Sequence, residues 1–310
     1  MARLQHFVRV GQLNRELIEH IFRRAYEMRI VAQHHGSQRL AGYIASMLFY
    51  EPSTRTRFSF EAAMHRLGGR VIGTESAGHF SSVTKGESLP DTIRVVSGYA
   101  DVIVLRHSET GAAEIASQVS RVPIINAGDG TGEHPTQALL DAFTIRDKLG
   151  QLSDLTIAMV GDLRHGRTVH SLVRLLAPYR LRFLFVSPEN LRMPTQLLAE
   201  LARDQVNYEE TIDFERAVRE ADVLYMLRLQ KERFEDTAMY DRVRGLYVLN
   251  AERMQRAKPK MIVMHPLPRN EEIAVDMDTD PRLMIFDESD NGLFIRMALL
   301  ELILLGNGHS

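Results

Sequence analysis

The segment Ser53–Arg57 mixes hydroxyl and guanidinium side chains where a strand is predicted to give way to a helix. The apolar run Tyr43–Tyr50 predicts a buried strand, and Phe58–Leu67 predicts a helix. The free N–H groups and the dipole of a helix start attract anions, and Arg55 adds a planar fork of donors suited to phosphate. The pattern indicates a phosphate site; the alternative is that Ser53 only caps the helix while the arginines face water.

Polar or charged clusters follow six of the predicted strands, each at the point where the strand ends. Their residues are 53–56, 106–107, 128–137, 162–167, 228–230 and 265–269. Open parallel sheets bind ligands at the carboxyl ends of their strands. One such cluster is consistent with an ordinary polar loop, whereas six at the same position of the pattern indicate a binding site.

Arginine is prominent in these clusters, and its guanidinium suits anionic ligands. Arg55 and Arg106 lie in the first half of the chain, and Arg167 and Arg228 lie in the second. Two facing cationic clusters predict two anionic substrates, or one substrate with an anion at each end. The sequence shows neither metal-ligand spacing nor a Ser-His-Asp arrangement. It therefore favours positioning and electrostatic stabilisation over covalent catalysis, with no metal and no cofactor.

Three further features have two interpretations each. His134 stands before a helix-starting proline, where it either caps or packs, or donates a hydrogen bond to a developing oxyanion. Lys85 lies in the aperiodic stretch 79–87, which predicts either a solvated lysine or a binding loop. The segment 161–167 resembles a dinucleotide fingerprint only loosely, because the G-x-G-x-x-G spacing is not met.

Strand and helix patterns alternate along the chain, which predicts an α/β fold with parallel sheets covered on both faces. The predicted strands are 44–50, 70–73, 102–106, 122–126, 156–161, 182–186, 223–226, 260–265 and 284–286. The predicted helices are 14–31, 54–67, 88–100, 111–120, 135–149, 167–177, 194–202, 214–220 and 293–305. We expect two doubly wound parallel-sheet domains with the active site in the cleft between them.

The length of 310 residues, 45% of them hydrophobic, also predicts two domains. Residues 1–134 with 292–310 are expected to form the first domain, 135–150 a connecting helix, and 151–291 the second domain. The last predicted helix is apolar enough to pack back onto the first domain.

Composition excludes several classes of protein. The net charge is −2, with no basic stripe for nucleic acid and no apolar run of about 18 residues for a membrane span. Cysteine is absent, so disulfides and thiolate metal sites are excluded. The first ten residues lack the apolar region of a signal peptide, and a cytoplasmic protein is expected.

Three motifs resemble those of the carbamoyltransferase family, namely Phe49–Arg57, His134–Gln137 and His265–Arg269. The S-T-R-T-R and H-P-x-Q patterns are shared by the aspartate and ornithine branches. The H-P-L-P turn, the Arg228-x-Gln230 pair and the 81–85 loop resemble the aspartate branch, and the likeness spans nearly the whole chain.

The resemblance implies that carbamoyl phosphate and L-aspartate give N-carbamoyl-L-aspartate and phosphate, the committed step of pyrimidine synthesis. It implies that carbamoyl phosphate is bound by Ser53, Thr54, Arg55, Thr56, Ser81, Arg106, His134, Gln137, Pro266 and Leu267. It implies that aspartate is bound by Lys85, Arg167, Arg228, Gln230 and Leu267. The catalytic set implied by the family is Arg55, Thr56, Lys85, Arg106 and His134.

The resemblance also implies an assembly. Ser81 and Lys85 would enter the site of a neighbouring subunit, so the working unit would be a homotrimer. Glu51 would pair with Arg167 and Arg233 when the domains close. A regulatory chain or a dihydroorotase is a possible partner in a larger complex.

Two segments depart from the family pattern. Residues 287–290 are acidic where a segment containing Gln or Ala is expected, and Thr84 stands where some members have a lysine. The first departure bears on the contact between the last helix and the first domain.

Three rival functions remain open at the level of sequence. The chain is alternatively a carbamoyltransferase for ornithine or an unusual amino acid, which Arg228 and Gln230 argue against. It is alternatively a non-catalytic relative that holds a complex together, which the intact set of polar residues argues against. A Rossmann dehydrogenase is a weaker alternative, because the glycine fingerprint is missing.

Overall fold

The computed structural model of the protein describes residues 4–74, 86–229, 240 and 244–306. The chain divides into two compact units. The first unit contains residues 1–140 and 290–310, and the second unit contains residues 141–289. Each unit has its own parallel sheet, which confirms the predicted α/β class.

The first unit is built on a four-stranded parallel sheet with the order β2-β1-β3-β4. Its strands are β1 (Ile44–Phe49), β2 (Arg70–Thr74), β3 (Val102–His107) and β4 (Ile124–Asp129). Its helices include α1 (Arg15–Gln33), α2 (Thr54–Arg66), α3 (Leu89–Val96) and α4 (Ala112–Val119). Because β3 pairs with β1 and not with β2, the strand order reverses between β1 and β3.

Helix α5 (Pro135–Leu149) crosses the boundary between the two units along the chain. The second unit carries a five-stranded parallel sheet with the order β7-β6-β5-β8-β9. Its strands are β5 (Leu155–Val160), β6 (Leu181–Val186), β7 (Asn207–Thr211), β8 (Val223–Met226) and β9 (Ile262–Met264). The strand order reverses between β5 and β8.

The remaining helices follow in chain order. They are α6 (Arg167–Leu176), α7 (Thr195–Arg203), α8 (Phe214–Glu220), α9 (Ala251–Met254) and α10 (Ile285–Leu305), with 3-10 turns at Val10–Gln12, Glu189–Leu191 and Val275–Thr279. No helix within the described ranges is both long and apolar enough to cross a lipid bilayer.

Four fully buried strands explain continuous apolar runs in the sequence. Strands β3, β4, β8 and β9 are buried along their whole length, as expected when helices cover both faces of a parallel sheet. Separate apolar clusters form in the two units, around Ile103 and Leu105 in the first and around Val160 and Leu224 in the second. The rigid sheets fix where each strand ends, and hence where each polar cluster begins.

Among the strands, two differ from the predictions. The predicted strand at residues 284–286 is wrong, because α10 begins at Ile285 and Leu283 forms only an isolated bridge with Val263. A short apolar run does not distinguish a strand from a buried helix. Strand β7 was not predicted, because its sequence NYEET lies at the sheet edge and is half-exposed rather than apolar.

Candidate functional site

The start of α2 forms the first part of the site. Ser53 precedes the helix with φ −160° and ψ 92°, and its hydroxyl makes no capping hydrogen bond. Thr54 and Arg55 are exposed, while Thr56 is buried at 7% exposure. The Ser53 side chain therefore does not cap α2. The first turn presents its N–H groups together with the hydroxyls of Ser53 and Thr54 and the guanidinium of Arg55.

The second arginine of this segment is engaged locally. Arg57 Nε donates to Glu61 Oε1 at 2.7 Å, one turn further along α2. Pairs spaced by four residues stabilise a helix surface by only about 0.2–0.5 kcal/mol. Of the two arginines in Ser53–Arg57, we therefore expect exposed Arg55 to be the one that contacts an anion at the start of α2.

Arg106 lies at the end of β3, next to the end of β1. It stands opposite Phe49 in the parallel register, and its side chain is buried at 9% exposure. One guanidinium nitrogen, Nη1, donates to the Ala127 carbonyl at 3.1 Å, and Nη2 pairs with Glu51 Oε2 at 2.8 Å. A buried guanidinium needs a negative partner, and Glu51 supplies that charge here.

The loop after β4 is held by two buried polar side chains that the sequence analysis did not single out. Asn126 donates to Asp129 Oδ1 at 3.0 Å and accepts from the Gly128 N–H at 2.8 Å. Asp129 also accepts from the backbone N–H of Glu133 at 2.9 Å and of Gly111 at 2.8 Å. These bonds fix the loop that leads into His134. Asp129 lies in the predicted polar run 128–137, which gave no indication of which residues support and which bind, and Asn126 lies in the predicted strand 122–126.

His134 begins α5 through its backbone. Its carbonyl accepts from the N–H groups of Gln137 at 3.0 Å and Ala138 at 3.2 Å, and its side chain is buried at 5% exposure. The carbonyl therefore accepts the first hydrogen bonds of α5. Gln137 is half-buried in the first turn.

In the second unit, the residues after β5 approach the end of β8 closely. Gly161 has φ +120°, and a Cβ on it would lie 2.4 Å from the Leu227 carbonyl oxygen, so only glycine fits. Buried Asp162 accepts from the backbone N–H of His165 at 3.0 Å and from its imidazole Nδ1 at 3.1 Å. This loop delivers Arg167, half-buried, to the first position of α6.

Arg228 follows β8 and is half-buried, between buried Leu227 and Leu229. Leu227 donates its N–H to the Val160 carbonyl at 2.8 Å, which continues the β5–β8 pairing to the position before Arg228. Arg167 and Arg228 therefore follow two strands, β5 and β8, that are neighbours in the sheet.

The chain after β9 forms a turn at His265–Pro268, called here the 265–268 turn. Leu267 has φ +54°, which is unfavourable for a side chain of its size, and the Leu267–Pro268 peptide bond is cis. The Leu267 N–H donates to His265 Nδ1 at 2.8 Å. Pro266 and Leu267 are half-buried, whereas His265 is buried at 2% exposure.

Glu272 determines the tautomer of His265. Because Nδ1 accepts a hydrogen bond from Leu267, it carries no proton, and Nε2–H donates to Glu272 Oε1 at 2.9 Å. Burial opposes ionisation of Glu272, but hydrogen bonds from His265 and from the Asn270 N–H outweigh it and lower its pKa. Glu272 lies four residues beyond the turn, and no local pattern in the sequence marks it as the partner of His265.

Four of the predicted site residues fall outside the described residues, namely Ser81, Lys85, Gln230 and Arg233. The others occupy the carboxyl ends of three neighbouring strands in each unit. In the first unit these are β1, β3 and β4, and in the second they are β5, β8 and β9. The prediction that the polar clusters follow strand ends is confirmed for these six strands.

Two family models match the chain. Residues 5–147 match the model of the aspartate/ornithine carbamoyltransferase carbamoyl-P binding domain. Residues 153–303 match the model of the aspartate/ornithine carbamoyltransferase Asp/Orn binding domain. The two models together cover most of the chain.

Individual relatives are similar over nearly the whole chain. The multifunctional protein CAD of Squalus acanthias is 50% identical over 97% of this chain, which spans only 13% of that relative's length. The chloroplastic aspartate carbamoyltransferase of Arabidopsis thaliana is 50% identical over 95% of this chain and 76% of its own. The catalytic subunit of M. jannaschii aspartate transcarbamoylase has a similar structure, with a TM-score of 0.92, 45% identity and coverage of 99% of this chain and 100% of its own.

Proposed function

Because the chain belongs to the aspartate/ornithine carbamoyltransferase family, we propose that it transfers the carbamoyl group of carbamoyl phosphate to the amino group of L-aspartate. The products are N-carbamoyl-L-aspartate and phosphate, in the committed step of pyrimidine synthesis. The full-length relatives named for this reaction with aspartate, at 45% and 50% identity, support the choice of acceptor.

One observation carries the proposal. Each sheet reverses its strand order once between two neighbouring central strands, and arginines stand at both of those strand ends. In the first unit Arg55 follows β1 and Arg106 lies at the end of β3, and in the second Arg167 and Arg228 follow β5 and β8. Ligands bind at such switch points in open α/β sheets. Two cationic switch points match one phosphate substrate and one dicarboxylate substrate.

The first unit is proposed to hold carbamoyl phosphate. The N–H groups at the start of α2, the hydroxyls and Arg55 bind the phosphate, and Arg106 reaches it after leaving Glu51. Thr56, Arg106 and His134 are the proposed donors to the carbamoyl oxygen. Gln137 and the carbonyls of the 265–268 turn are proposed to accept from the carbamoyl NH2.

The second unit is proposed to hold aspartate. Arg167 at the first position of α6 and Arg228 after β8 are proposed to bind its two carboxylates, with Gln230, Lys85 and Leu267 beside them. An arginine at this position repels the cationic side chain of ornithine, which favours aspartate.

The chemistry follows from these residue types. The aspartate amine attacks the planar carbonyl carbon, and negative charge develops on the carbonyl oxygen. Preorganised donors stabilise this charge, and one such donor contributes about 3 kcal/mol. The leaving phosphate accepts the proton that the amine loses, so the reaction needs positioned donors rather than a separate protein base.

The assembly and the domain roles are also part of the proposal. Residues 1–134 with 292–310 bind carbamoyl phosphate, 135–150 connect, and 151–291 bind aspartate. Ser81 and Lys85 complete the site of a neighbouring subunit in a homotrimer, and Glu51 with Arg233 acts in closure. A regulatory chain or a dihydroorotase is a proposed partner, and a cytoplasmic location remains a prediction.

The direct test measures product from labelled carbamoyl phosphate with L-aspartate and, separately, with L-ornithine. We expect N-carbamoyl-L-aspartate and no citrulline. Citrulline as the main product would assign the chain to the ornithine branch. Binding of carbamoyl phosphate without product at saturating aspartate would favour a non-catalytic relative.

A second experiment tests the shared site. Chains carrying Lys85→Ala are mixed with chains carrying Arg55→Ala, after dissociation and reassociation. If each site takes Lys85 from a neighbour, some sites in the mixture regain both intact residues and activity returns. No recovery in mixtures whose native mass matches a trimer would reject the shared site.

A further inference from the structure

A buried carboxyl pair joins α5 to α10 in the second unit. Asp141 and Glu288 are 0% and 1% exposed, and a hydrogen bond links their carboxyl groups. The hydroxyl of buried Tyr225 donates to Asp141 Oδ2 at 2.8 Å. On the other side, Glu288 Oε2 accepts from the backbone N–H of His265 at 2.8 Å. The pair therefore connects three elements to the residue that opens the 265–268 turn.

Two ionised carboxylates contain only acceptors, so a hydrogen bond between them requires a proton. Two negative charges in contact away from water would also repel each other strongly. Burial, followed by the charge of Asp141, raises the pKa of Glu288 well above its ordinary value. Burial and the same two acids raise the pKa of Tyr225, which keeps its hydroxyl as a donor.

The groups around the pair come from several elements. Asp141 faces Glu288 from α5, Tyr225 faces the pair from β8, and the His265 N–H reaches it from the end of β9. Thr168 of α6 hydrogen-bonds Tyr225. On α10 itself, the neighbouring Asp287 is exposed and pairs with Lys148.

We propose that Glu288 is a positioning residue of the transfer site, which holds the 265–268 turn through the His265 N–H by means of one proton shared with Asp141. When that proton leaves as pH rises, two adjacent carboxylates repel across the α5–α10 contact and the turn loses its support. The site thereby acquires a dependence on pH from a group that touches neither substrate. The link to activity rests on the proposed function, whereas the shared proton and its hold on the turn do not.

The turn is sensitive to this support because it is anchored at one residue from two directions. Glu272 fixes the His265 imidazole, and Glu288 fixes the His265 backbone. The unfavourable backbone of Leu267 depends on the Nδ1 acceptor that this arrangement presents. A shift of His265 therefore moves the carbonyls of Pro266 and Leu267 together.

The matched variants are Glu288→Gln and, as control, Asp287→Asn. The Glu288→Gln amide donates to ionised Asp141 and its carbonyl still accepts from His265, without a shared proton. The control removes an exposed acid of the same helix, one residue away. Unfolding by urea is measured from pH 6 to pH 9 on the whole protein.

The sign follows from proton linkage. The folded wild type holds one more proton than its unfolded chain between the ordinary carboxyl pKa and the raised one. Its folding constant therefore falls relative to Glu288→Gln by up to about tenfold per pH unit as pH rises. The Asp287→Asn curve runs parallel to the wild type. Parallel curves for wild type and Glu288→Gln would overturn the shared proton.

Amide hydrogen exchange of the peptide containing the 265–268 turn tests the positioning role without substrates. We expect protection in the wild type to fall from pH 7 to pH 9, after correction for intrinsic exchange rates, and to stay constant in Glu288→Gln. Equal behaviour of both proteins would overturn the positioning role.

The rate profile extends the test to the reaction. An alkaline loss of kcat/KM for carbamoyl phosphate is expected in wild type and Asp287→Asn and is weakened in Glu288→Gln. If the exchange and unfolding differences appear but no protein makes product, the proposed function fails and the shared proton stands. If product forms and kcat/KM falls at high pH in the same way in all three proteins, the link from Glu288 to the reaction fails.

Discussion

The α2 start in the first unit and the 265–268 turn in the second present their functional groups in different ways. At α2 the groups are side chains and helix N–H groups that stand at the surface, and Arg55 is exposed. At the turn the groups are backbone carbonyls, and the side chains that hold them are buried. In the proposed site, one region would act through its charges, and the other through the position of its backbone.

The two regions also satisfy their buried polar groups differently. Arg106 is paired with Glu51, so the phosphate proposed to bind there would exchange one anionic partner for another. The 265–268 turn depends on a fixed histidine tautomer and on buried acids at positions 272 and 288. In the proposed site, a charged side chain would bind a substrate directly through its charge. A backbone carbonyl, by contrast, is oriented only when residues distant in sequence hold the turn that carries it.

The largest expected effect comes from removing a charge in the first unit. Arg106→Ala should lower kcat/KM by about 10²–10³-fold, because it removes a preorganised donor to the phosphate and the carbonyl oxygen. The control is Arg57→Ala, since Arg57 pairs with Glu61 within α2. Kinetics and calorimetric binding of carbamoyl phosphate measure both variants. Equal losses of kcat/KM in the two variants would contradict the specific role proposed for Arg106.

A smaller effect separates the two substrates. Arg228→Ala should raise the KM for aspartate by about 10–100-fold, since a charge-assisted hydrogen bond contributes about 1.5–3 kcal/mol. Carbamoyl phosphate affinity should change little. Arg203→Ala, which alters an exposed arginine of the same unit, is the control. Loss of carbamoyl phosphate affinity with unchanged aspartate KM would reverse the roles of the two units.

The next effect tests the support of the turn. Glu272→Ala leaves the buried His265 Nε2–H without its acceptor and should destabilise the fold by about 1–3 kcal/mol. Glu272→Gln keeps an acceptor and should cost less. Urea unfolding at pH 7 measures both, and Glu271→Ala, with a side chain 68% exposed, is the control.

The pH dependence of Glu272 has a definite sign. Its folded pKa is lowered, so its ionised form stabilises the fold at neutral pH, and this contribution is lost as pH falls through the folded pKa. The wild type should therefore lose more stability than Glu272→Gln between pH 5 and pH 3, the range that contains the ordinary glutamate pKa of 4.5 and the values below it. A constant difference across this range would show that the ionised carboxylate is not what holds His265.

The smallest effect distinguishes a binding serine from a capping serine. Ser88 accepts from the Asp91 N–H at 3.3 Å at the start of α3, whereas Ser53 makes no such bond at α2. Ser88→Ala should destabilise the fold by about 1 kcal/mol, and Ser53→Ala by less than about 0.5 kcal/mol. Thermal unfolding with and without phosphate measures both. A larger loss from Ser53→Ala in the absence of ligand would restore the capping interpretation.

The parallel α/β fold and six of the polar clusters were predictable because they depend on local pattern. Apolar runs, hydroxyls at a helix start and arginines after strands are each visible within a few residues. The strand predicted at 284–286 was wrong, because a short apolar run does not distinguish a strand from a buried helix, and β7 was missed, because its sequence is not apolar. Local pattern does not report whether an edge strand finds a partner.

The supporting residues were not predictable in the same way. Glu272 lies seven positions from His265, and Glu288 lies 23 positions from it. Asp141 and Tyr225 are 84 positions apart. Nothing in the spacing of these residues distinguishes them from surface acids. Their roles depend on burial, and burial depends on how α5, α10, β8 and β9 pack.

The sequence by itself determined the chemistry of the candidate site, because charge, hydrogen-bonding capacity and helix-start patterns belong to residue types and their immediate neighbours. The tertiary structure alone decided which strand ends became neighbours. It decided that Arg106 pairs with Glu51 and that His265 carries its proton on Nε2. It also decided that two acids distant in sequence meet away from water. The physical reason is that sheet order and burial are set by packing across the whole unit, so side chains acquire these properties only after distant segments meet.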